Sequence, residues 1–472
     1  MTDSPNQKAK LSIDIIIIGA SISGLACAYA LREAGHNVLV LEAGNLPEGP
    51  AVIHCPPNMT RILFEWGIGP DILARASGRC PKIEFHSAYT QEKIGELLFH
   101  KKVMNELGAE MYSVHKHADL VRSLYKLAAN AGAQIKFGSR VISVNTETAI
   151  VTLDSGKTMK ADLIVGADGH QSIVRAGLEL TRKGKLDINY TTYLFTIPTS
   201  RFKDDQEIPK LLGDARWCMW MGFGWGMSMF GIRNNTVLSC TLFMNEEDAD
   251  VSVDWKSQVP VKDLGTEKLG LTPMLKRIIS MADNATRVKV DRENVPEYWY
   301  DSTGHVVVIG EAAHASLVGS VHSAALGVED AAILGRLLSK LKSKDEIKRF
   351  LSAFQEIRHP RSEQLSASEQ QKVDFIALPA GPLSEARDES MRLQMQEGQV
   401  DWSASEDSFL TRSWEEFRDA FGYDAFDEAE TWWVEWGVLL DRINGSDNSV
   451  EDDIFSGQIT IERERHACTP SI

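Results

Sequence analysis

The chain has 472 residues, 43% of them hydrophobic and 25% charged, with a formal net charge of -16. That length calls for two or three structural units, and that balance gives no reason to expect a disordered chain, a fibre or a membrane bundle. Residues 381–472 hold 22 acids against 7 bases, so the acidity is C-terminal. A chain of this sign gains nothing from counterion release, which excludes nucleic acid as an expected partner.

The first ten residues are polar, and the apolar run Ile15–Ile18 is too short for a secretory core or a membrane span. Cys27, Cys55, Cys80, Cys218, Cys240 and Cys468 are scattered without a C-x-x-C pair. Reduced thiols and a cytoplasmic location are the expectation. Residues 13–42 give an unbroken apolar run, a small-residue turn, a helical pattern and a second apolar run ending in an acid, which is one βαβ unit. In the turn, Gly19, Ser21 and Gly24 occupy the G-x-G-x-x-G positions, with serine in the middle. The first glycine permits the tight turn, the middle position lets backbone approach a pyrophosphate, and the third lets helix and strand pack closely. Glu42 ends the second strand, where a carboxylate can accept from ribose hydroxyls. By itself the motif specifies a dinucleotide without saying which one, and a glycine-rich turn that binds nothing is the alternative.

A second strand with a Gly-rich end covers residues 161–169, followed by Ser172 and Arg175. Read locally, Asp168 caps a helix and Arg175 forms an ion pair. Residues 190–245 alternate and carry Trp217, Trp220, Phe223 and Trp225, which predicts a second, antiparallel sheet. Trp217, Trp220, Trp225, Met227 and Met229 are candidates to line a substrate cavity, with core packing as the competing reading. A third strand with a Gly-rich end covers residues 305–314, including Glu311 and His314, and is followed by His322, Ser323 and Ala324. From Ala324 the spacing becomes helical, with Pro360, Pro379 and Pro382 punctuating the approach to the acidic tail. Trp432, Trp433 and Trp436 are expected to pack a tail helix on the main body. No G-x-S-x-G, H-E-x-x-H or metal-ligand spacing occurs, so no metal is expected. His314, His322 and Arg233 are the catalytic candidates.

Taken in order, the three Gly-rich segments resemble the group A flavoprotein monooxygenases, the salicylate hydroxylase and 4-hydroxybenzoate hydroxylase relatives, over roughly residues 13–360. Residues 55–67 and 115–144 are similar to that family's intervening elements, and the tail pattern at 421–433 to its fungal members. The resemblance implies an α/β fold: a Rossmann-type FAD-binding domain with an inserted mixed or antiparallel substrate sheet and a helical C-terminal region. The corresponding boundaries are 11–185 and 301–370 for the FAD-binding parts, 186–300 for the sheet and 371–472 for the acidic extension. It implies FAD, with NADH or NADPH as donor and O2 as co-substrate, and hydroxylation of an aromatic or phenolic small molecule, with decarboxylation where a carboxylate is displaced. Fungal secondary metabolism is the implied setting, in a monomer or homodimer without a membrane span.

Implied cofactor contacts are Gly19, Ser21, Ile22, Ser23, Gly24, Glu42, Ala43, Cys55, His117, Val141, Asp168, Gly310, Glu311, Ser323 and Ala324. The carboxylate of Glu311 would meet the ribityl chain, and the following helix start would direct amides at the flavin's pyrimidine edge. Four positions depart from the family pattern: Glu311 replaces Asp, His117 replaces Arg, Ala315 replaces Pro and Ser323 replaces Gly. A redox-silent member that uses the same cavity for cyclisation or isomerisation, and a non-enzymatic binding protein, are the competing readings.

Overall fold

The computed structural model describes residues 8–46, 52–74, 78–79, 82–98, 107, 113–178, 190–211, 217–232, 235–246, 257–289, 296–314, 319–396, 415, 417–439 and 441. The chain divides into two compact units, Met1–Ala429 and Glu430–Ile472. The larger unit holds the architecture that positions the site.

Its first layer is a parallel sheet in which strands Val306–Val308, Leu163–Gly166, Asp14–Ile18, Asn37–Leu41 and Gln134–Lys136 lie side by side in that order. The three Gly-ended strands expected from sequence are therefore neighbours. Successive residues Ile15, Ile16, Ile17 and Ile18 are all buried, so both faces are covered and alternation is not needed. The helix Ile22–Glu33 packs closely against the helix Ser323–Leu338. Small residues allow that approach: a Cβ on Gly335 would stand 2.7 Å from that of Ala30, and one on Gly327 would collide with the Ser23 hydroxyl.

The second layer is an eight-stranded sheet in the order Gln258–Pro260, Asn284–Lys289, Tyr190–Pro198, Val237–Asn245, Trp225–Ile232, Trp217–Met221, Lys82–Ser87, Lys93–Leu98. All pairings are antiparallel except that of Trp217–Met221 with Lys82–Ser87, so the sheet is mixed. The hairpin at 82–98 lies inside the stretch assigned from sequence to the first FAD-binding part, yet it completes this second sheet. Two three-stranded sheets finish the unit: Val52–Cys55, Ser113–Lys116 and Gly78–Arg79, and Thr158–Lys160, Ile150–Leu153 and Val141–Asn145.

The helix Ile347–Ile376 carries Pro360 in its interior, so this proline does not end a helix as its sequence position suggested. Pro382 does punctuate, opening the helix Pro382–Gln396, where a missing N–H costs nothing. In the smaller unit Trp433–Gly437 form a π-helical turn, and Trp436 is 47% exposed. Among the described residues no helix is long and apolar enough to cross a membrane.

Candidate active site

The G-x-S-x-x-G turn is shaped by backbone clearance. Gly19 has a φ of +103°, and a Cβ there would stand 2.5 Å from the Ala167 carbonyl oxygen; one on Gly24 would stand 2.0 Å from the Gly19 oxygen. Ser21, at the middle position, turns its hydroxyl into the protein: it donates to the Ala167 oxygen at 3.0 Å and accepts from the Gly24 N–H at 3.1 Å. It thus caps the helix Ile22–Glu33, and the N–H groups of Ile22 and Ser23 are left as its leading donors. The Glu42 carboxylate accepts from the Ala20 and Gly44 amides, both at 2.8 Å, which fixes it beside the turn. Ala43 is exposed.

Asp168 accepts from Ser172 Oγ at 2.5 Å and from the Ile173 N–H at 2.8 Å, so the local capping reading describes its contacts. Arg175 instead donates to the carbonyls of Glu311 at 3.3 Å and Ala312 at 3.1 Å, and to that of His170. Its guanidinium thereby ties the second Gly-rich segment to the third. Cys55 is fully buried at a strand end, and burial pushes its thiol up to about 12, so it is a neutral packing group. Val141 is buried at the start of its strand.

Glu311 is half-buried, with His170 Nε2 3.2 Å from its Oε2. Burial works against its charged form, but the neighbouring His170, with His117 and His314 beyond it, holds the carboxyl below the usual carboxylate range. Burial pulls His170 down as well, and Glu311 outweighs it, leaving this imidazole above its ordinary value. His117 goes the other way: burial lowers it more than Glu311 raises it. The His117 departure from the family is therefore accompanied by a second histidine, His170, on the same carboxylate.

At the start of the helix Ser323–Leu338, the Ser323 N–H donates to Ser320 Oγ at 3.1 Å, so Ala324 holds the next amide in line. His314 Nε2 lies 2.8 Å from Asp330 Oδ2, which also accepts from the Gly310 N–H at 2.8 Å. Arg358, fully buried, donates to Asp330 at 2.7 Å and pairs with Glu329 at 2.8 Å, and Asn58 donates to Glu329 at 2.7 Å. Together they clamp the loop that carries Glu311. His322 Nδ1 is 2.7 Å from Glu369 Oε1, and its ring stacks on Phe421. His314 and His322 are thus both engaged by buried carboxylates, and Arg233 and Ala315 lie outside the described residues.

The eight-stranded sheet separates the candidate substrate residues. Trp220, Trp225, Met227 and Met229 point into a sealed cluster with Phe202, Leu275 and Ile278, so the core reading prevails for these four. Trp217 points to the opposite face with Met219, Phe230 and Phe243. Its indole donates to Ser228 Oγ at 2.7 Å and stacks on His54 at 4.5 Å. On that face Leu194, Ser228, Ser239 and Thr241 are only half-buried, and Ser228 and Thr241 are direct cross-strand partners. A Cβ on Gly319, in the loop between Glu311 and His322, would stand 3.0 Å from Thr241 Cγ2.

Half-buried Gly19, Ser21, Ser23, Asp168, Gly169, His170, Glu311 and Ser323 interrupt an otherwise sealed core where the parallel strands end. A Cβ on Gly169 would meet nothing within 4 Å, whereas one on Gly310 would strike Ser23. Glu42 and Glu311 therefore flank the same helix start, one bonded to the turn and the other beside the glycine that touches it. This fits an extended dinucleotide with a carboxylate toward each end. Sequence reasoning missed His170, Asn58, Arg358, Ser228 and Thr241. Of these only His170, next to the Asp168-Gly169 pair, stands close enough to a motif to have drawn notice.

A model of the FAD binding domain family matches residues 12–369. The chain is 29% identical over 370 residues to the FAD-dependent monooxygenase cfoG of Aspergillus candidus, covering 75% of this chain and 84% of that one. It is 25% identical over 392 residues to the 3-amino-4-hydroxybenzoate 2-monooxygenase of Streptomyces cremeus, covering 83% and 94%. In fold it is similar to a salicylate hydroxylase solved as a substrate complex, with a TM-score of 0.68 at 18% identity, over 89% of this chain and 98% of that one.

Proposed function

Since the chain belongs to the FAD binding domain family and is an FAD-dependent monooxygenase, we propose that it hydroxylates an electron-rich aromatic small molecule, a phenol or a phenolic acid. Where the new hydroxyl replaces a carboxylate, CO2 leaves. A tailoring step in fungal secondary metabolism is the setting that its fungal relatives suggest.

Bound FAD supplies the electron transfer from NAD(P)H and the activation of O2. The protein's share is to bind, orient and exclude water. The amides of Ile22 and Ser23 would face the pyrophosphate, with Glu42 on the adenosine ribose and Glu311 on the ribityl chain. The amides opening the helix Ser323–Leu338 would stabilise negative charge on the reduced ring. Ser228, Ser239 and Thr241 would hold the polar substituents of the substrate, while Trp217, Met219 and Phe230 supply its apolar wall.

One observation carries the reading. The sheet face that remains half-open and bears hydroxyl groups is the one on which Gly319 rests, in the same loop that follows Glu311. A substrate there would lie between the cofactor groove and the sheet. Purified protein supplied with FAD is expected to be yellow, and its NAD(P)H oxidation to accelerate on adding a phenol, with a hydroxylated product found by mass spectrometry. A protein that stays colourless, or whose NAD(P)H oxidation ignores a panel of phenols and phenolic acids, overturns the proposal and favours the redox-silent reading.

A further inference from the structure

Away from the groove, the far edge of the eight-stranded sheet brings together three side chains of metal-binding type. Glu84 and His86 are two residues apart on one strand, so they share a face. Cys218, on the neighbouring parallel strand, is the direct partner of Glu84, and Trp220 that of His86. One ligand atom from each of Glu84, His86 and Cys218 can be chosen so that all lie within 4.8 Å of one another. The three residues are 4%, 7% and 2% exposed.

The chemistry of this set is specific. Thiolate, imidazole and carboxylate on one centre suit zinc, which takes three protein ligands and leaves a fourth place to water. Tetrahedral zinc with its usual bond lengths holds its ligand atoms roughly 3.3–3.6 Å apart. His86 Nε2 and Glu84 Oε2 already face each other at 3.6 Å, an ion-pair distance longer than a good hydrogen bond, so an ion between them would replace one long contact with two short ones. The imidazole stacks on Trp220 at 4.7 Å, which fixes its plane.

Lys82 is the opposing consideration, since its Nζ lies 2.7 Å from Glu84, with Lys93 at 3.8 Å. Both approach Oε1, and Oε2 is the oxygen turned to His86. The lysines can therefore orient the carboxylate from behind while its other oxygen binds the ion. Glu96, paired with both lysines, offsets part of their charge.

We propose that Glu84, His86 and Cys218 form a zinc site that pins the 82–98 hairpin to the rest of the sheet. On binding, the Cys218 thiol releases its proton to solvent and no oxidation state changes.

The test is elemental analysis of the FAD-loaded full chain after equilibration with micromolar ZnCl2 and gel filtration. About one zinc per chain is expected, falling at least tenfold in Cys218→Ser and in His86→Gln but not in Cys240→Ser, a buried cysteine on the same face two strands away. Zinc is also expected to raise the melting temperature of the wild type and of Cys240→Ser and to leave Cys218→Ser unmoved, a readout that each folded variant supplies for itself. Less than a tenth of an equivalent in the wild type, or uptake that survives Cys218→Ser, overturns the proposal.

Discussion

The two faces of the eight-stranded sheet are made from similar residues and have different fates. Trp220, Trp225, Met227 and Met229 on one face are sealed among apolar side chains, while Trp217 on the other shares its surface with half-buried Ser228, Ser239 and Thr241. Trp217 and Trp220 are three positions apart on a single strand, so they point to opposite sides. The lesson is that an aromatic strand residue announces burial but not the side on which it is buried. Here the hydroxyl-bearing neighbours, not the large apolar ones, mark the face that has room.

The largest effect should come from the sealed face. Trp225→Ala removes a fully buried indole and is expected to cost about 3–5 kcal/mol of stability, measured by urea unfolding. The relative kcat/KM values of the folded fraction for a series of phenols should not change. A variant that keeps its stability and changes its substrate order would place the substrate on that face and break the comparison.

The open face should respond in the opposite way. Thr241→Val keeps the shape of the side chain and removes its hydroxyl, so stability should stay within about 1 kcal/mol. The KM for a phenolic substrate should rise about tenfold, the equivalent of ~1.4 kcal/mol, with kcat changing less. A KM that stays put while the urea midpoint falls would make Thr241 a packing residue like those opposite.

The same contrast explains what was legible in the sequence. The parallel sheet and the cofactor turn were, because both depend on backbone: unbroken Ile runs need cover on two sides, and Gly19 and Gly24 stand where a Cβ would strike a carbonyl. The second sheet could be located but not oriented, since which parity faces inward is set by the helices and loops that arrive from elsewhere. The hairpin at 82–98 escaped for a related reason: its pairing with Trp217–Met221 spans more than a hundred residues. Pro360 misled because propensity yields to tertiary packing, and the residues on either side of it, Arg358 and Arg361, bond Asp330 and the Ala420 carbonyl. Ser21 and His117 looked like defects in the motif. The fold meets the first by turning the hydroxyl into a helix cap, and beside the second it sets His170 against Glu311.

That last pairing carries the comparison from the sheet to the groove and gives the smallest effect, one set by charge instead of packing. Folding holds Glu311 below the ordinary carboxylate value of about 4.5, so its stabilising share is present above about pH 4.5 and lost as the pH falls through the lowered value. Folding holds His170 above the ordinary imidazole value of about 6.5, so its share is complete below about pH 6.5 and lost as the pH rises through the raised value. Both conditions hold together between about pH 4.5 and 6.5. The other groups facing the pair are His117, which burial pulls down and Glu311 pulls up, His314, which lies against Asp330, and Arg175, which opposes the charge on His170. With the Glu311 side chain 32% exposed, solvent screening limits the pair to about 1 kcal/mol or less. His170→Gln keeps a donor and removes the charge. Its deficit against the wild type, read from urea midpoints of FAD-saturated protein, should be greatest near pH 5.5 and close by pH 9. A deficit that is constant with pH would show that His170 holds Glu311 by shape alone, as Trp225 holds the sealed face of the sheet.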